Sequence, residues 1–97
     1  MVGYEYHPAA QAEYFEAIRY YSRIRSELGI SFVTEVESAI QRVRQFPEAY
    51  GKVSDSLRHI GTHRFPHAII YEIQGARILI WAVAHTSREP GYWKTRT

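Results

Sequence analysis

Arg64, His85, Arg88, Tyr92 and Arg96 are the residues of this chain whose types could act together on a phosphate group, and Arg58 lies just upstream of them. Guanidinium groups meet phosphate or carboxylate oxygens in a fixed two-pronged geometry. An imidazole titrates near neutrality, and a tyrosine stacks or donates a proton. All six fall in or just after Leu57 to Trp93, LRHIGTHRFPHAIIYEIQGARILIWAVAHTSREPGYW, the stretch with the densest strand signals. Two readings fit them. In one, they form a surface that faces a polyanion. In the other, they are an arginine-rich sheet edge, with Tyr92 and Trp93 pinning the tail to the core after the Pro90-Gly91 turn. Trp93 is assigned to the anchoring role.

Other chemistries find less support. His59, His63 and His67 recur every fourth residue. They lie in strand-like sequence broken by Gly61 and Pro66, where four residues span roughly 13 Å, too far for two ligands of one ion. Solvated or lightly buried edge histidines are expected there, and no metal site. Ser54, Ser56 and Ser87 lack the Gly-x-Ser-x-Gly context of a nucleophile elbow, and no glycine-rich loop precedes a helix to cradle a nucleotide. Glu72 and Glu89 stand isolated in the basic half, which argues against hydrolysis by a carboxylate pair. No cofactor is expected.

The chain has 97 residues, enough for one domain over residues 1–97 with one core. With 45% hydrophobic residues, 23% charged and eight tyrosines, it reads as a folded domain with an aromatic core. The absence of cysteine rules out disulfides and thiolate metal sites as staples. Neither a signal peptide nor a membrane-spanning run is legible, so a cytoplasmic protein without membrane contact is expected. The net charge is only +2, yet ten of the twelve basic residues are arginine. After Ala49, seven basic residues face three acidic ones, so the second half carries the positive field and an acidic partner fits it.

These residues need a scaffold. Val2, Tyr4 and Tyr6 alternate with Gly3, Glu5 and His7 as in a short strand, which Pro8 ends. From Pro8, a favoured first helical residue, AAQAEYFEAIRYYSRIR reads as helix. Tyr14, Phe15, Ile18 and Tyr21 fall on its apolar face, with Glu13, Glu16 and Arg23 elsewhere. Ser26 is the expected N-cap of a second helix whose stripe is Phe32, Val33, Val36, Ile40 and Val43, with Arg42 and Arg44 in its last turn and Pro47 beyond. Gly29 should weaken it locally. A loop over Glu48 to Asp55 leads to strands at Leu57 to Thr62, His67 to Ile73 and Arg77 to Ala84. The last two are apolar on both faces, hence central, and turn through Gln74-Gly75. The expected fold is two-layer α+β: an N-terminal strand, a helical hairpin, then three antiparallel strands, with the second sheet face left open for function.

The ordered set AEYFEAIRYY, RVRQFPEAYG, RFPHAIIYEI and ILIWAVAHTSREPGYWKTR resembles the RelE/ParE superfamily of toxins from bacterial type II toxin–antitoxin systems, nearer the ParE branch, over nearly the whole chain. The resemblance implies a β-α-α-β-β-β toxin that inhibits growth and serves plasmid stabilisation. It also implies a cognate antitoxin whose C-terminal segment wraps the toxin, giving a hetero-oligomer. For a ParE-like member it implies DNA gyrase as the target and no enzymatic step.

A RelE-like member would instead be a ribosome-dependent mRNA endonuclease, here with His85 as acid or base, Arg88 and Arg64 as phosphate clamps and Tyr92 as stacker. An inactive, antitoxin-binding member is the third alternative. Where RelE-type chains carry an arginine three positions before the tyrosine matched by Tyr71, this chain has Ala68. Losing that charge would cost a nuclease on the order of 3 kcal/mol of transition-state stabilisation.

Overall fold

A computed structural model describes residues 1–97. Alternation in GYEY makes strand β1, Gly3–Tyr6, and Pro8 converts the chain to helix α1, Pro8–Ile24. His7 caps that helix, its Nδ1 accepting from the Ala9 N–H at 3.0 Å. Helix α2, Ser26–Gln45, follows after one residue. The cap between them is Arg25, not Ser26. Its extended backbone (φ −168°) presents its carbonyl to the amides of Leu28 and Gly29, and no side chain caps the helix. So abrupt a reversal places Ser26 already inside the helix, at the first helical position.

The hairpin closes tightly at Gly29. A Cβ there would stand 2.1 Å from Ser22 Oγ and 3.1 Å from Ser22 Cβ, so glycine lets the two helix backbones approach. Of the expected apolar face of α1, Tyr14 and Tyr21 are buried, whereas Phe15 is 51% exposed. The buried line instead runs through Ala10, Tyr14 and Tyr21, and Phe15 lies a hundred degrees around the helix from Tyr14.

Strands β2 (Leu57–Gly61), β3 (His67–Gln74) and β4 (Arg77–His85) form an antiparallel meander. The sheet order is β1-β4-β3-β2, with β1 parallel to β4, so the two all-apolar strands are central. The fold is α+β, and no helix is long and apolar enough to cross a membrane. The main core lies between hairpin and sheet, around Phe32, Val36 and Ile40 of the helices and Ile69, Tyr71, Ile78 and Ile80 of the strands.

Two irregularities shape the second half of β4. Tyr71 pairs with Ile80 but Ile70 pairs with Ala82, so Trp81 is an extra residue in this strand. The bulge sends Trp81 and Ala82 together toward the second sheet face. That face is not open: Leu57, Ile70, Ala82 and Ala84 are covered by Trp93, which the tail folds back onto them. An apolar surface of this kind is better buried than wet.

The second irregularity is that β1 pairs only with Arg77 to Ile80. The backbone at Trp81 and Val83 therefore needs other partners.

Candidate functional site

Glu13, half-buried on α1, supplies the partner for Val83, whose amide donates to Glu13 Oε1 at 3.1 Å. The same carboxylate receives the C-terminal arm. Arg96 donates through Nη1 to Oε1 at 3.0 Å and through Nη2 to Oε2 at 2.7 Å, a two-pronged ion pair. Arg96 Nη1 also donates to the Trp81 carbonyl at 2.7 Å, which satisfies the other edge group.

The Tyr92 hydroxyl donates to Glu13 Oε2. Burial, with the Glu13 contact behind it, pushes that phenol up to about 12. Arg88 lies 3.6 Å from the same oxygen and stacks over the Tyr92 ring at 3.7 Å. The hydrogen bond to Glu13 holds Arg96 above even the usual guanidinium range.

The arm is tied at its far end too. His7 accepts through Nδ1, so its proton is on Nε2, which donates to the Thr97 carbonyl at 3.0 Å, and its ring stacks on Trp81. Between these ties, a 3-10 turn over Tyr92–Thr95 buries Trp93. The turn is entered through Gly91 at φ 81°, a conformation open to glycine at no steric cost.

Beside the clasp runs an open groove of about 690 Å³ between α1 and the ends of β3 and β4. Tyr20 and Ile24 form one wall, both more than half exposed. His67 and His85, paired across the strands with rings 5.1 Å apart, lie at its base, and Arg88 stands at one end. His67 is buried, contrary to the edge position expected from sequence, because its strand is central.

The Tyr21 hydroxyl, held protonated by burial, donates to His67 Nε2 at 3.1 Å. The His67 proton is then on Nδ1, which has no partner. Burial, reinforced by His85, lowers the His67 pKa to about 4, so it is neutral at pH 7. His85 is half-buried, and its Nδ1 accepts from the Ser87 amide at 3.0 Å. No group of three or more His, Cys, Asp or Glu side chains is arranged to hold a metal ion.

The family model for the ParE toxin of type II toxin–antitoxin systems, parDE, matches residues 4–90. The chain belongs to the ParE toxin family. A chain of the chromosomal ParDE TA system from P. aeruginosa superposes with a TM-score of 0.76, covering 90% of this chain and 98% of that one. At 16% identity, the likeness is one of fold. No curated protein matches the sequence.

Within this ParE fold, Arg88, Tyr92 and Arg96 converge on Glu13, with His85 beside them at the groove. Arg58 is elsewhere, donating to the carbonyls of Glu48 and Tyr50 at 3.2 and 2.7 Å, where it folds the loop before β2. Arg64 is exposed in the turn between β2 and β3, at φ 69°. Ala68 faces the second sheet face beside Ala84, away from the His67–His85 pair, which shares the hairpin's side. Sequence reasoning passed over Glu13 and His7. A carboxylate one position ahead of an apolar stripe is ordinary on a solvated helix face, and only the short β1 marks this one as needed.

Proposed function

We propose that this ParE-family chain, as a single domain, acts in the cytoplasm by binding a macromolecular target, DNA gyrase by family resemblance, and performs no chemical step on it. A cognate antitoxin, as in the ParDE system it resembles, would neutralise it by covering the same surface. The observation that carries this reading is the Glu13 clasp. Tyr92, the stacker of the nuclease reading, is bonded to a protein carboxylate, Arg88, one of its phosphate clamps, is partly neutralised by the same group, and Arg96 is taken up by it as well.

Position 68, where RelE-type chains resemble one another in carrying arginine, opens onto the opposite face of the sheet from His85. A charge placed there would not meet a phosphate held beside His85, so the expected cost of lacking an arginine at position 68 does not apply in this fold and Ala68 does not itself count against a nuclease. The surface that remains, with Arg88 and His85 at the groove and Arg64 and Lys94 exposed, is basic and suited to an acidic protein surface.

The test is induction of the chain in bacteria, with DNA breaks, the SOS response and mRNA integrity followed together. DNA damage with intact mRNA is expected, as is inhibition of purified gyrase. Ribosome-dependent mRNA cleavage without DNA damage would overturn the proposal in favour of a nuclease. Unimpaired growth would point to an inactive antitoxin-binding member.

A further inference from the structure

From the clasp geometry we infer that Glu13 is a positioning residue for the binding surface. It shapes a surface to which it need contribute no contact of its own, by holding the C-terminal arm, residues 86 to 97, against the uncovered edge of β4. This rests on the reading of the arm as part of the target-binding surface.

Glu13 lies more than seventy residues from the arm in sequence, yet its two oxygens receive the Val83 amide, both prongs of Arg96 and the Tyr92 hydroxyl. Each carboxylate oxygen is thus shared between strand edge and arm or between two arm residues. The Arg96 and Glu13 side chains are each only 15% exposed, whereas that of Arg88 is 53% exposed. Arg88 is therefore the guanidinium left to meet a partner. Its direction is set by stacking on Tyr92, whose hydroxyl Glu13 holds.

Removing the carboxylate would release Arg96 from its fork and Tyr92 from its acceptor together. The Val83 amide would be left facing an edge that no strand covers. A neutral amide at position 13 cannot replace it. Its nitrogen is a donor, so one side of the clasp would face other donors.

Glu13→Gln and Arg96→Gln, made in the full chain, attack the clasp from its two sides. In each purified variant, amide exchange at Tyr92, Lys94 and Arg96 should quicken roughly tenfold or more, and in Glu13→Gln that at Val83 as well, as for loss of a hydrogen bond to a charged group. Exchange at Ile69 to Tyr71 in the central strand should stay slow. The double variant should loosen the arm by less than the sum of the two single ones, because the Glu13–Arg96 fork is the interaction that both changes remove.

In cells, either variant should inhibit growth at least about tenfold less at matched soluble protein, in keeping with the same loss. Ile40→Val, a core change of similar small cost placed away from the arm, should inhibit fully and so separates positioning from mere destabilisation. Unchanged arm exchange in both single variants would overturn the clasp. A released arm with undiminished growth inhibition would overturn the positioning role. A wild-type chain that cut mRNA would sink the gyrase reading and leave this inference standing.

Discussion

Lowering the pH should destabilise this protein through His67. Its ring is enclosed by Tyr21 of α1, Phe32 of α2 and His85 of β4, at 6% exposure. The unfolded chain has no such enclosure, so its histidine protonates at about 6.5, while the folded one does so at about 4. A histidine with a lowered folded value binds protons first in the unfolded state. Its contribution to stability is therefore complete above pH 6.5 and declines as pH falls toward 4.

The gap between the two values amounts to about 3 kcal/mol, against a total of roughly 5–15 kcal/mol for a domain of ordinary stability. Urea unfolding at intervals from pH 7.5 to 4.5 would measure the slope. Carboxylates titrate in the lower part of the same range, so the informative quantity is the difference from His67→Phe, which keeps a ring of similar size and cannot protonate. The wild type should lose about 1 kcal/mol per pH unit more than the variant between pH 6 and 4.5. Parallel slopes, or a His67 ring titrating near 6.5 by NMR in the folded protein, would refute the reasoning.

Two further changes probe the packing. Trp93→Ala empties the indole from the cluster of Leu57, Ile70, Ala82 and Ala84, and should cost about 3 kcal/mol in chemical denaturation. A loss under 1 kcal/mol would mean that the second sheet face does not depend on the arm. Gly29→Ala gains about 1 kcal/mol of helix propensity but drives a methyl into Ser22, an overpacking cost of about 1–3 kcal/mol. A net loss of about 1 kcal/mol is expected, shrinking when Ser22→Gly is made in the same chain. Stabilisation by Gly29→Ala alone would show the helices to be farther apart than described.

Element order and the central strands were legible because they rest on local signals: the alternation of GYEY, Pro8 and Pro47 as punctuation, the stripe from Phe32 to Val43, and Gln74-Gly75 between two apolar runs. The cap at Arg25, the exposure of Phe15 and the burial of His67 were not. Each depends on what lies across a contact. The burial of a strand histidine is set by its neighbours in the sheet, and β3 has β2 and β4 on its two sides.

The basic and aromatic constellation of the C-terminal region divides in the same way. Its residue types alone suggested a surface that would fit an acidic partner, beside the alternative of a structural sheet edge, and the ordered motifs placed the chain near its family. Which arginines face outward was decided only in three dimensions. β1 stops after four residues and leaves half of β4 without a strand. A buried edge must still satisfy its backbone, so Glu13 and Arg96 are drawn in to Val83 and Trp81. No spacing in the sequence encodes that meeting, because it is made by a sheet edge formed from residues more than seventy positions apart.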